Sequence, residues 1–298
     1  MSQPFHHFIP KVFLRNFTDG EHENLWFYKE KEPHPMRRGV LQRPELRNLK
    51  SIFGKKGLNR YRTFDGSETD EVEAHLAENV ENYWKPALDA LMTCRDQADL
   101  EAVDLRYCKE IRQIFLSLLR RSPESFGRTK SKEEEAAEQA LAEATRELVE
   151  TGDYTWEDAQ EIFDPAERER IIREVSVSWI AFPPSRNIWD YLVMSKLSIA
   201  KTSFSSEPLL VSSNPVFFVK QDTGTGYIRD TVLPISNRFL VTVSPRSSVH
   251  SFERINKRDV TKINRRIAEQ SSAIASFKKS AVNKYKGYVL PLSTDLIW

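Results

Sequence analysis

An α+β fold, with a mixed or antiparallel sheet built from both chain ends and a large helical insertion in the middle, is predicted by three observations. Runs rich in aromatic and β-branched residues, bounded by Gly, Pro and Asn turns, fill residues 1–66 and 196–255. Residues 67–195 recur instead at helical spacing. The opening stretch, Phe5-His6-His7-Phe8-Ile9-Pro10-Lys11-Val12-Phe13-Leu14-Arg15-Asn16-Phe17, is too apolar to fray as ordinary termini do. Two separate β domains at opposite ends would each have a meagre core. A single domain over 1–298 is therefore expected, closed by a C-terminal helix over 256–276.

Taken in order, Thr18-Asp19-Gly20 reads as a turn and Leu25-Trp26-Phe27-Tyr28-Lys29 as a strand. Residues 30–66 carry Pro33, Pro35, Gly39, Pro44, Gly54, Gly57 and Gly66, a spacing that suits short strands and loops. Ser67-x-x-Asp70 reads as a helix cap, with Val72, Leu76, Val80, Trp84 and Leu88 following at helical spacing. Pro86 should kink or divide that helix. A second amphipathic helix presents Tyr107, Ile111, Phe115 and Leu118 inward and stops at Arg120-Arg121-Ser122-Pro123. The Ala- and Glu-rich residues 131–150 read as an exposed helix, and Asp164-Pro165 opens another that Pro183-Pro184 ends. Strand signals return at Leu197, Leu209, Val216, Thr231 and Phe239, with Gly224-Thr225-Gly226 as a hairpin tip. Asn256-x-x-Asp259 caps the last helix, with Val260, Ile263, Ile267 and Ile274 inward.

Composition narrows the class. With 298 residues, 40% hydrophobic, 17 Phe and 6 Trp, the chain can build a real core, and global disorder is excluded. Cys94 and Cys108 fall in helical segments without a CxxC, the usage of a reduced cytoplasmic protein and not of a structural zinc site. No secretory order opens the chain and no apolar run nears the ~18–20 residues that span a bilayer, so a soluble protein without a membrane partner is expected. The net charge of +1 hides segregation. Residues 37–62 hold nine Lys/Arg against Glu45 alone, and residues 253–286 hold ten against three acids. Residues 65–81 hold seven acids and no Lys or Arg, and residues 132–161 hold eleven acids against two bases. Such a chain has a basic and an acidic side, available to nucleic acid or simply solvated. Sheet closure from both ends would place the two basic segments on one body.

Three segments together resemble a known bacterial family. They are His6-His7-Phe8-Ile9-Pro10 followed by Leu14-Arg15-Asn16-Phe17, then Ser212-Ser213-Asn214-Pro215-Val216, then Leu233-Pro234-Ile235-Ser236. The arrangement resembles domain-of-unknown-function family 4238, which begins with a His-His-x-Ile-Pro box. The resemblance implies a link with bacterial defence against phage, in which a phage-derived trigger is a possible partner. It also implies an aspartate at position 213, where this chain has Ser213.

Two readings of the N-terminal box stand side by side. Histidine titrates near neutrality and serves as general acid or base. With His6 or His7 in that role, and Lys11, Arg15 or Arg121 neutralising charge at phosphorus, the chain would cleave RNA through its 2′-hydroxyl, with Asn214 completing the centre. The doublet straddles a strand, so one imidazole would reach substrate and the other would be structural. Lys55, Lys56, Arg60 and Arg62, with Lys262, Arg265 and Arg266 on the last helix, would hold nucleic acid, aided by stacking on Phe53 and Tyr61. The alternative is that both histidines lock the N-terminus to buried backbone and that the protein binds nucleic acid or a phage component without cutting, acting through a partner. No HxH, HExxH or DxD is present, so neither a metal nor a cofactor is expected.

Overall fold

The computed structural model describes residues 5–30, 43–56, 81–123, 193–203, 207–222, 227–245 and 249–290, with scattered positions between them. The fold is α+β, as the sequence predicts. Its N-terminal segment enters as β1 (Phe5–His7), then α1 (Lys11–Leu14) and a 3₁₀ turn over Arg15–Phe17. Pro10, at φ −58°, is preset for the helix that follows, and its carbonyl accepts from the Phe13 and Leu14 amides at 3.0 Å each. Ile9, Phe13, Leu14 and Phe17 are all 0% exposed. Each such burial contributes roughly 1.5–3 kcal/mol, which anchors residues 9–17 in the fold.

The two chain ends meet in a four-stranded antiparallel sheet. Its order is β3 (Glu45–Asn48), β2 (Asn24–Lys29), β13 (Ala273–Ser276), β8 (Val211–Ser212). A second, five-stranded sheet has the order β12 (Ser251–Ile255), β7 (Lys196–Thr202), β11 (Phe239–Ser244), β10 (Tyr227–Pro234), β9 (Phe217–Asp222). It is antiparallel except for the β12–β7 pair. Two short pairs complete the strand inventory among the described residues. β1 pairs with β4 (Gly54–Lys56), and β5 (Tyr61–Arg62) pairs with β6 (Glu68–Thr69).

Three expectations need correction. The strands of residues 196–255 chiefly form a sheet of their own, and only β8 joins the N-terminal strands. The last helix does not run to 276. It ends at Glu269, where the Ser271 hydroxyl donates to the Ile267 carbonyl at 2.7 Å, and Ile274 lies on β13. Ile274 keeps helical register with Ile267, and the short, fully buried Ala-Ile-Ala-Ser strand has no alternation to betray it. Glu68–Thr69 is strand where the first turn of a helix is expected, while Ser67 and Asp70 lie outside the described residues.

The helices sort into two packed groups. α2 (Trp84–Thr93) and α3 (Gln97–Arg121) bury Trp84, Leu88, Ile111 and Phe115 in one cluster with Ile9, Phe13, Ile199 and Val241. Pro86 sits in the first turn of α2, so it divides the segment and does not kink a continuous helix. α3 ends at Arg121, and its backbone is non-helical at Tyr107 (φ −122°, ψ 26°). α4 (Lys257–Glu269) starts at Asn256, whose side chain accepts from the Asp259 amide at 3.0 Å. With α5 (Lys279–Tyr285) it buries Val260, Ile267, Val282 and Tyr285 against Tyr28, Leu210 and Ile274. Of the expected helix over 131–150 only Arg146, Val149 and Glu150 are described, and they are helical; the expected helix from Asp164 to Pro183 and the hairpin tip at 224–226 lie outside the described residues. No helix among the described residues is long and apolar enough to cross a membrane.

Candidate functional site

The site grows from a tight junction between β1 and β4. Phe53 has φ 51°, the left-handed region that costs an ordinary residue roughly 1–2 kcal/mol. Its carbonyl accepts from the Phe8 amide at 2.9 Å and the Ile9 amide at 3.3 Å. Gly54 follows because nothing larger fits: a Cβ there would stand 2.3 Å from the His6 carbonyl oxygen and 2.4 Å from the Phe5 ring. Strain and close approach at adjacent residues fix where this corner sits against the four-stranded sheet.

Between that corner and the β2–β13 pair lies a cavity of about 390 Å³. Phe5, Phe8, Phe27 and Phe53 form its apolar wall, with Phe27 and Phe53 packed edge to face at 5.3 Å. Ser51, Ser213 and Ser272 give it hydroxyls. The Ser213 hydroxyl oxygen accepts from the Ser272 amide at 3.0 Å and the Ala273 amide at 3.2 Å, which tethers β8 to β13. Lys29, Arg47, Lys55 and Arg121 reach the same cavity, and no Asp or Glu is among the described residues lining it.

These cations differ in how far they are compensated. Arg121 is buried, donates to the His7 carbonyl, and pairs with Glu81 at 2.5 Å. Arg47 pairs with Glu45, Nε to Oε2 2.8 Å, and lies 5.6 Å over the Phe27 ring. Lys29 and Lys55 are exposed and have no ion-pair or hydrogen-bond partner among the described residues. Burial depresses the Lys55 pKa, and the nearby Lys29 charge depresses it further. Two lysines from different strands thus line one cavity, with no acid among its described lining residues.

The histidines stand behind this cavity, not in it. His6 is 2% and His7 7% exposed, and neither is among the residues lining this cavity, so the expected imidazole does not meet a ligand held there. The His7 Nε2–H donates to the Leu49 carbonyl at 3.0 Å, since a carbonyl can only accept, and its ring packs edge-on against Phe5. Burial first, then the Lys11 and Arg121 charges, hold the His7 pKa below its usual 6.5, against the Leu49 hydrogen bond and Glu81. Lys11 is exposed beside it. Arg15 points elsewhere, paired with Glu23 at 2.9 Å in the open.

Asn214 neighbours the cavity floor without lining it, and its carbonyl accepts from Gln270 Nε2 at 2.8 Å. Of the expected nucleic-acid contacts, Lys55 lines the cavity. The side chains of Lys56 and Arg62, and the whole of Arg60, lie outside the described residues. Lys262, Arg265 and Arg266 are exposed on α4, away from the lining, with Lys262 3.8 Å from Asp259 and Arg265 2.8 Å from Glu269.

Of the three sequence segments that carried the family resemblance, the first and second reach the cavity through Phe8 and Ser213, and the third is joined to the first away from the cavity lining. Asn16 Nδ2 donates to the Ile235 carbonyl at 3.2 Å, the Asn237 amide donates to the Asn16 carbonyl at 3.2 Å, and Ser213 abuts the floor below β1. A family model described as "Protein of unknown function (DUF4238)" matches residues 6–281. The chain belongs to the DUF4238 family. No curated protein and no solved structure matches it. In this DUF4238 chain, Ser213 takes with one hydroxyl the two backbone amides that a carboxylate at that position could also have accepted.

Lys29, Phe5, Phe8, Phe27 and Ser272 are site residues that sequence reasoning missed. The β13–β2 register sets Ala273 opposite Lys29, and only that pairing of distant segments brings Lys29 to the serines.

Proposed function

We propose that this protein binds RNA at the phenylalanine-walled cavity and acts in bacterial defence as a sensor or effector that works through a partner, with a phage-derived trigger. The observation that carries the binding reading is the pair Lys29 and Lys55, without an acidic partner among the described residues, at the edge of an aromatic cavity whose described lining has no acid. Cations that track a phosphate backbone beside rings on which bases stack are the common recipe for single-stranded nucleic acid. RNA fits this reading because its recognition commonly targets single-stranded bases stacked on aromatic side chains. The defence setting comes from the family resemblance alone.

Binding without cutting is preferred over ribonuclease action because general acid–base catalysis needs a titrating group within hydrogen-bond reach of the reacting atoms. His7 instead has one nitrogen on Leu49 and its ring behind Phe5. The test is RNA binding measured across a salt series, together with sequencing of total RNA ends after the protein is produced in cells. The expected result is binding that weakens with salt, falls at least tenfold in Lys29→Glu/Lys55→Glu, and leaves cellular RNA ends unchanged. New RNA ends that disappear in a folded His7→Ala or His6→Ala protein would overturn it in favour of the ribonuclease.

A further inference from the structure

We infer that the cavity receives one unpaired base of the RNA, so that the protein recognises single strands and rejects duplex; this rests on the RNA-binding reading above. At about 390 Å³ the cavity lies near the small end of ligand pockets, which run from about 300 to 1,000 Å³. That is room for one nucleotide's base and sugar, not for a stacked pair. The polarity is divided in the way a nucleotide is divided. Phe5 and Phe8 are half-buried and leave ring surface open to a flat aromatic group, while Phe27 and Phe53 are buried behind them.

The cations take the other half of the ligand. Lys29 leaves β2 and Lys55 leaves β4, so two separate strands hold the pair against one cavity. A phosphate at the cavity would be met by positive charge from both strands. A lipid chain or an apolar peptide would leave those ammonium groups uncompensated, and a free inorganic anion would leave the phenylalanine wall unused. Bases in a duplex face one another inside the stack, so entry of a base would require unpairing and unstacking it first.

The experiment compares three fluorescent RNA probes of equal length at one salt concentration. One is a mixed-sequence single strand, one is that strand annealed to its complement, and one is that strand with abasic sugars. The wild-type protein is expected to bind the single strand at least tenfold tighter than the other two. Uridine or adenosine monophosphate should displace it, and ribose 5-phosphate should not. Ser51→Trp, an exposed position on the lining, should erase the preference while circular dichroism shows the fold intact. Equal binding of all three probes, still lost in Lys29→Glu/Lys55→Glu, would overturn the unpaired-base inference and leave the RNA-binding reading standing. Failure of every probe to bind would overturn both.

Discussion

Gly54 shows how one residue sets the site's geometry. Its missing Cβ lets β4 pass 2.3 Å, measured from the ideal Cβ position, from the His6 carbonyl oxygen. Gly54→Ala should therefore destabilise the protein by about 1–3 kcal/mol, the usual range for overpacking, seen as a lower melting temperature. His7 makes the pH dependence readable. Its folded-state pKa lies below the ordinary 6.5, so its contribution is complete above pH 6.5 and is lost as the pH falls through the depressed value. Thermal melts between pH 7.5 and 5 should show a loss in the wild type that is smaller in His7→Gln, which keeps a neutral donor for Leu49. At the cavity floor, Ser213→Asp should keep the fold, because the Ser272 and Ala273 amides can serve a carboxylate. It should also weaken RNA binding by adding a negative charge beside Lys29 and Lys55, measured by probe anisotropy. The histidine doublet was legible as an anchor that the chain could not leave in solvent. Its aim was not, because sequence alone cannot show whether an imidazole meets a carbonyl or a substrate.

At the scale of elements, helix α3 is tied to the five-stranded sheet by a buried charge. Arg112 is 0% exposed, donates to Asp104 and to the Ser195 carbonyl at 2.9 Å, and Asp104 lies 3.5 Å from His250 Nε2. The His250 Nδ1 accepts from the Leu197 amide at 3.1 Å, so one network joins α3, β7 and the turn before β12. Arg112→Ala strands the carboxylate and should cost about 3–5 kcal/mol by denaturant unfolding. Most elements were readable from pattern. β2, β7, β10, β11, the end of α3 and the start of α4 lie where aromatic runs, alternation and caps put them. β13 was not, because a four-residue strand of small residues continues the helical spacing of Ile267 and hides in it.

For the molecule as a whole, residues 5–17 bridge the two ends. Four of their side chains are wholly buried in the cluster that holds α2 and α3, and Asn16 and Thr18 hydrogen-bond to the β10–β11 turn. The four burials amount to roughly 6–12 kcal/mol at 1.5–3 kcal/mol each, comparable to the net stability of a typical domain. That the ends would meet was legible from strand signals at both. That they would meet in a four-stranded sheet apart from the larger one was not, since register between distant segments leaves no local trace. The closing measurement is photocrosslinking of a 4-thiouridine-labelled single-stranded RNA to the full-length protein, with the sites read by mass spectrometry. Crosslinks should fall on residues 5–8 and 53–55, where the phenylalanine wall and Lys55 meet. Crosslinks confined to the exposed face of α4 at Lys257, Lys262 and Arg266 would contradict the assignment.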